Sequence, residues 1–160
     1  MPKLSLYIES SALPYGVVIA EGGQIIFDAT QDPALANIKD APALTLHALK
    51  AIDRPATDLE AIVINQGPGG TSAIRSGVSF ANSLGYSLGV PVIPVNAFEL
   101  LGYPNEEKYG CPVLTTVKSI RGNAYVGLFA NGQLRRTAYG PMLETVTTVL
   151  GDIKEWAVAG

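Results

Sequence analysis

The residues of this chain whose types and spacing could do chemistry are Asn65-Gln66-Gly67-Pro68-Gly69-Gly70-Thr71-Ser72. An apolar strand leads into this glycine-rich turn and a long helix leaves it. Backbone N–H groups at such a turn, with the positive end of the helix dipole behind them, can hold an anion. Gly67, Gly69, Gly70 and Ser72 are therefore the candidate phosphate-binding residues. No Lys-Ser/Thr pair of the P-loop kind and no Gly-x-Gly-x-x-Gly follows. A tight strand-to-helix connection, in which glycine lets backbones come close, accounts for the same residues.

The remaining candidates are few. Glu9-Ser10-Ser11 follows the first strand, where a carboxylate could approach a ligand or sit in a plain loop. His47 has no Cys, His or second acid at ligand spacing, so it reads as a surface or boundary histidine and no metal site is expected. One His and one Cys cannot supply a nucleophile, base and orienter, and nothing points to a catalytic carboxylate pair. Cys111 excludes an intramolecular disulfide, suits a reducing cytoplasm and reads as a small buried thiol. Glu106-Glu107-Lys108 reads as solvated linker charge.

The bulk of the sequence bounds the function further. The chain has 160 residues, 48% of them apolar, with 11 Lys+Arg and a formal net charge of −3. That fits one domain or two small lobes. No basic patch is visible, so direct nucleic-acid binding is not expected. No basic n-region with an apolar stretch opens the chain, so secretion is not indicated. The uncharged run from Ser76 to Phe98 holds Asn82, Pro91, Pro94, Asn96 and several serines, which argues against a membrane span. A cytoplasmic protein is expected.

The elements that must position the turn follow from periodicity. Leu4, Leu6 and Ile8 alternate in a first strand over 3–8. Runs over 16–20 and 24–30, separated by Glu21-Gly22-Gly23, make a hairpin. A helix over 43–52 starts after Pro42 and stops at Arg54-Pro55. A strand over 61–64 enters the glycine turn, a helix over 74–88 leaves it, and a strand over 90–95 with two prolines suits a sheet margin. Asn96 caps a short helix, with Glu99 as its capping-box partner. Residues 103–112 read as a linker. Strands over 113–117, 124–130 and 133–138 follow, with Asn131-Gly132 as a type I′ hairpin turn, then a helix over 143–150 and a strand over 156–159. This order predicts an α/β lobe with a mixed sheet over residues 1–103 and a smaller second lobe over 104–160.

The helix after the turn carries a second signal. Gly69, Ala73, Gly77, Ala81, Gly85 and Gly89 recur every four residues, a ridge of minimal side chains that lets another backbone approach. Each interior glycine costs roughly 1 kcal/mol relative to alanine, so something must offset Gly77 and Gly85. Ile74, Val78, Ala81, Leu84 and Leu88 can face a core, and no charge follows Arg75 on any side. A helix without a charged outer face is covered on both sides, either entirely within the monomer or by a partner protein.

These residues resemble a known family. The strand ending in Asn65-Gln66-Gly67-Pro68-Gly69, then Arg75, Gly77, Gly85 and the Leu88-Gly89-Val90-Pro91 exit, are similar to the TsaB (YeaZ) family motif Gly-Pro-Gly-Ser-Phe-Thr-Gly-Leu-Arg-Ile-Gly. The likeness reaches from the strand-hairpin start to the late strands around Tyr125. It implies an actin-like (ASKHA, ribonuclease H-like) N-lobe with a shortened second lobe, related to the TsaD/Kae1 proteins once described as M22 glycoproteases. It further implies a non-catalytic component of tRNA threonylcarbamoyladenosine (t6A) synthesis, without a cofactor of its own. The implied partners are a TsaD-like enzyme, a TsaE-like ATPase and a second copy in a homodimer. Ile74, Gly77, Val78, Ala81, Leu84, Gly85 and Leu88 would then form the centre of the partner interface, and Arg at Gly77 or Gly85 would abolish association.

The chain also departs from the family pattern. Glu9-Ser10 stands where the family has Asp-Thr, Gly70-Thr71-Ser72-Ala73 replaces Ser-Phe-Thr-Gly, and Lys118 to Tyr125 keeps only Gly122 and Tyr125 of the segment that opens the second lobe. The alternative expectation is an actin-like enzyme that binds ATP near Glu9, Gly67 to Gly70 and Ser119, or a peptidase of the glycoprotease kind.

Overall fold

Leu4, Leu6 and Ile8 are fully buried in β1 (Leu4–Glu9), while their alternate neighbours are half-buried, the two-residue period of a strand with one face on a core. The computed structural model describes residues 3–11, 15–35, 38 and 40–160. They divide into two compact units, Met1–Gln66 with Gly70–Val95, and Gly67–Gly69 with Asn96–Gly160.

In the first unit, β2 (Gly16–Glu21) and β3 (Gln24–Asp28) form the expected hairpin, and Gly22 and Gly23 take the positive φ values of 58° and 83° that its turn requires. The α1 helix (Ala41–Ala51) begins at Asp40, whose side chain accepts from the Ala43 N–H, and carries Pro42 in its first turn. After it come β4 (Leu59–Asn65), α2 (Thr71–Leu88) and β5 (Val92–Val95). The sheet order is β3-β2-β1-β4-β5, with β2 antiparallel to β1 and β3, and β4 parallel to β1 and β5. This mixed sheet is the predicted one, and β5 with Pro94 lies at its margin because proline cannot donate to a second neighbour.

The core of this unit gathers Leu4, Leu6 and Ile8 from β1, Val17 and Ile19 from β2, Leu44, Ala48 and Leu49 from α1, Ile62 and Ile64 from β4, and Ala81 from α2. Arg54, just past α1, bridges Glu21 at 2.6 Å and Asp58 at 2.5 Å, tying the helix exit to the end of β2.

The second unit opens with α3 (Ala97–Tyr109). Asn96 caps it as predicted, its Oδ1 accepting from the Phe98 N–H at 2.8 Å. The expected linker over 103–112 is mostly helix, a correction with a packing reason. Gly102 sits against the Phe129 ring so closely that a Cβ there would come within 2.6 Å of Cδ2. Tyr103 stacks edge-on against the same ring, with centroids 4.6 Å apart. These contacts offset Pro104, which removes one backbone hydrogen bond from the helix interior. Asn105 Nδ2 also donates to the Leu101 carbonyl at 2.8 Å.

Four strands follow: β6 (Val113–Lys118), β7 (Asn123–Ala130), β8 (Gln133–Pro141) and, after α4 (Met142–Leu150), β9 (Ala157–Ala159). Their order is β8-β7-β6-β9. Asn131 and Gly132 have φ of 54° and 67°, the left-handed pair of a type I′ turn. Val126, Leu128 and Ala124 pack with Val149 of α4, while Phe98 of α3 packs with Val117 and Tyr125.

Candidate functional site

The glycine turn is built by its neighbours in sequence. Gly70 is the N-cap of α2, with extended φ and ψ of −66° and 105°, and Gly89 ends the helix in the left-handed region at φ 67°. The Gly70 N–H donates to the Ser11 carbonyl at 2.9 Å. That amide, one of the candidate anion donors, is therefore committed to the chain itself. The Gly67 carbonyl accepts from the Ala97 N–H at 2.8 Å, Gly69 is half-buried, and Ser72 is exposed in the first turn of α2.

Glu9 lies in a closed network of hydrogen bonds. Its Oε1 accepts from the Ser11 N–H and the Ser11 hydroxyl, each at 2.7 Å. Its Oε2 accepts from the Tyr7 hydroxyl at 2.8 Å and from Asn65 Nδ2 at 2.7 Å. The same Asn65 amide donates to Ser11 Oγ at 2.8 Å. Burial, with the Glu9 carboxylate beside it, pushes the Tyr7 hydroxyl far above its ordinary value. The arrangement holds Glu9 as an acceptor and joins β1 to the end of β4. Asn65 was read in the sequence only as a member of the turn. Its role here has no local signal, because its partners lie more than fifty residues away.

Ser10, 7% exposed, has a hydroxyl without a hydrogen-bond partner. It borders a cavity of about 30 Å³ shared with Glu9, Tyr15 and Ser76. That space suits one or two waters and no larger ligand.

The small-residue ridge of α2 lies on the sheet of its own unit, one of the two covers the sequence left open. Gly77, Ala81 and Gly85 are buried on the sheet of their own unit. A Cβ on Gly77 would collide with Ser10 Oγ and stand 2.9 Å from Ser10 Cβ; one on Gly85 would stand 2.5 Å from Val92 Cγ2 and 3.1 Å from the Val90 carbonyl oxygen. The glycines let α2 settle close to β1, β4 and β5, and the buried contact offsets their low helix propensity. Val78, Leu84 and Leu88 pack against the same core and Ile74 is half-buried. In the folded unit Gly77, Ala81 and Gly85 are thus covered by their own sheet.

The face of α2 open to solvent carries Ser72, Arg75, Ser76, Ser79, Asn82, Ser83, Tyr86 and Ser87. Tyr86 is 91% exposed. The Ser83 and Ser87 hydroxyls each donate back to the helix, to the Ser79 and Ser83 carbonyls at 2.8 Å. Beyond Arg75 this face is uncharged and part of its polarity is already satisfied. Removing it from water costs little beside an ordinary charged helix face. On α1, which packs beside α2, Leu46 is 56% exposed.

The other candidates are plainly placed. His47 is exposed, 6.2 Å from the Phe27 ring, and no cluster of metal-ligating side chains occurs among the described residues. Cys111 is half-buried rather than buried. Glu106, expected as solvated charge, instead accepts from the Asn131 and Gly132 N–H groups at 2.5 and 2.8 Å and clamps the β7–β8 turn. Among the described residues no helix is long and apolar enough to cross a membrane.

Comparison with known proteins places this geometry. The family model of TsaD, tRNA N6-adenosine threonylcarbamoyltransferase, matches residues 35–159. The tRNA N6-adenosine threonylcarbamoyltransferase of Pyrobaculum calidifontis is 27% identical over 109 residues, 60% of this chain and 32% of that protein. The tRNA threonylcarbamoyladenosine biosynthesis protein TsaB of Bacillus subtilis is 32% identical over 90 residues, 55% of this chain and 39% of that protein. The chain thus spans well under half the length of these curated relatives. YeaZ from Pseudomonas aeruginosa superposes with a TM-score of 0.66 at 17% identity, over 87% of this chain and 67% of that one. A crystal structure of an uncharacterized protein with similarity to peptidase YeaZ from Pseudomonas aeruginosa gives 0.74 at 16% identity, over 98% and 74%. The structural matches show the fold, a mixed α/β architecture of the kind expected from the sequence.

Proposed function

Because this chain belongs to the TsaD family, as a TsaB (YeaZ)-like member, we propose that it serves tRNA threonylcarbamoyladenosine biosynthesis as a non-catalytic partner of a TsaD-type enzyme. The observation that carries this reading is the solvent face of α2, uncharged past Arg75 and centred on Ser79, Ser83 and the 91%-exposed Tyr86. An exposed tyrosine amid self-satisfied serines is a surface that buries cheaply, and tyrosine is a residue type on which binding energy concentrates. The partner's contacts fall on this outer face, with Leu46 of α1 beside it, and not on the glycine ridge beneath. The same face serves a homodimer when the enzyme is absent. A TsaE-like ATPase completes the set of partners, and the protein works in the cytoplasm without a nucleotide of its own. The Glu9 network supports a structural part for the carboxylate that the ATP-binding reading needs.

The test is sedimentation of the chain with the TsaD-type enzyme of the same host. Ser83→Arg combined with Tyr86→Ala should abolish the complex and leave the unfolding free energy within about 0.5 kcal/mol of the parent, as surface substitutions do. A complex of undiminished affinity would sink the proposal. Saturable heat on titration with ATP and Mg²⁺ that adenosine does not reproduce would favour the enzyme reading instead.

A further inference from the structure

The second unit has an open groove of about 440 Å³ on the face of its sheet that receives α3. The volume falls in the range of small-molecule sites, about 300–1,000 Å³. Its floor is a cross-strand aromatic pair: Tyr125 of β7 stands opposite Tyr139 of β8, ring centroids 4.5 Å apart and tilted by 36°. Phe98, 4% exposed, closes one end. It can seat there because Gly127 has no side chain; a Cβ would stand 2.9 Å from the Phe98 ring. Leu134 supplies the remaining apolar wall.

The rim is polar and neutral. Tyr139 is 52% exposed, and its hydroxyl lies 3.5 Å from Ser119 Oγ and 3.4 Å from Asn123 Nδ2. These contacts draw its ionisation below the ordinary tyrosine value and hold the ring from its outer edge. Asn96 spends Oδ1 on the Phe98 N–H, which leaves its amide N–H groups as donors, and Thr137 adds an exposed hydroxyl. Among the described residues no charged side chain lines the groove.

We propose that this groove binds a nucleobase ring, stacked on Tyr139 and held at its edge by Asn96 and Thr137. The flat aromatic floor selects a planar ligand, since an offset or tilted stack is the favoured geometry for such rings. The neutral lining offers no positive charge to pair with a phosphate or carboxylate, so the recognised part is the base. The polar rim selects a heteroaromatic ring with donors and acceptors at its edge over a plain benzene ring. Stacking of this kind is tolerant of base identity. The inference rests on the second unit alone and stands or falls independently of the α2 pairing surface.

Titration of the full chain with adenosine and with uridine, followed by amide NMR shifts over residues 134–139, tests it. Saturable shifts are expected with both nucleosides, and AMP should bind no tighter than adenosine. Tyr139→Ala should weaken adenosine binding by about fivefold or more, the low end of what base–aromatic stacking supplies, while Tyr139→Phe keeps the ring and most of the affinity. A short single-stranded oligoadenylate distinguishes the source: binding tighter than adenosine assigns the site to a base on a strand, equal or weaker binding to a free nucleoside. Absence of saturable shifts, an unchanged affinity in Tyr139→Ala, or equal binding of benzyl alcohol would overturn the proposal. Because Tyr139 is half exposed, loss of folding does not confound the variants; unchanged amide dispersion verifies this.

Discussion

Asn65 Nδ2 and Glu9 Oε2, 56 positions apart in sequence, lie 2.7 Å apart in the fold. The bond joins the ends of the parallel strands β1 and β4, and the same amide reaches Ser11 Oγ at 2.8 Å. Asn65 is 3% exposed, so its loss leaves two acceptors short of a buried donor. Asn65→Ala should cost about 2–3 kcal/mol, the range for a buried hydrogen bond to a charged group. Urea unfolding of the full chain measures it; a loss below about 0.5 kcal/mol, the scale of an ordinary surface change, would show that the network does not hold the strands.

Tyr7 donates to the same carboxylate, and its ionisation is raised by burial and by Glu9. A group whose value is higher in the folded state holds its proton longer there than in the unfolded chain. Its contribution is therefore fully present below the ordinary tyrosine value of 10.0 and is lost as pH rises beyond it. Stability should fall with pH above about 10, and Tyr7→Phe should flatten that fall. The measurement is the difference in urea midpoint between parent and Tyr7→Phe from pH 8 to 11. A difference that does not change with pH would refute the linkage.

Gly77 rests against Ser10, with no room for a Cβ. Alanine gains up to about 1 kcal/mol of helix propensity, but forcing a methyl into a filled contact costs about 1–3 kcal/mol. Packing wins, so Gly77→Ala should destabilise the unit by about 1 kcal/mol. Ser10→Gly in the same chain removes the colliding atoms and should recover most of that loss. A rescue no larger than the additive sum of the two single changes would place the cost elsewhere.

Glu106 holds the Asn131 and Gly132 amides from α3. Glu106→Ala should cost about 1–2 kcal/mol, less than a fully buried charge-assisted pair because the site is partly exposed. Hydrogen exchange at those two amides should accelerate by at least tenfold while the β6 amides stay protected. Exchange unchanged at Asn131 and Gly132 would mean that the turn holds itself.

Most of the fold was legible where the signal is local. The alternation of Leu4, Leu6 and Ile8, the cap at Asn96 and the Asn131-Gly132 turn are each read within a few residues, and each appears where expected. The linker over 103–112 was misread because its Pro, Gly, Asn and charge are turn-forming by composition. The helix there is maintained by Gly102 and Tyr103 on Phe129, a contact made by a strand more than twenty residues later. Glu106 was misread for the same reason.

The helix after the glycine turn shows the division most clearly. By itself the sequence determined that α2 has a ridge of small residues every four positions and no charge beyond Arg75, since side-chain identity and helical period are local properties. Which neighbour fills that ridge only the tertiary structure decided. A period names a face of the helix but not what lies against it, and here the sheet of the same unit takes the glycines while Tyr86 and the serines are left to solvent. Likewise the sequence supplied a carboxylate at Glu9 with Tyr7 and Ser11 two residues to either side of it, and the fold alone brought Asn65 onto it, because strands adjacent in a parallel sheet meet only after the intervening helix has returned the chain.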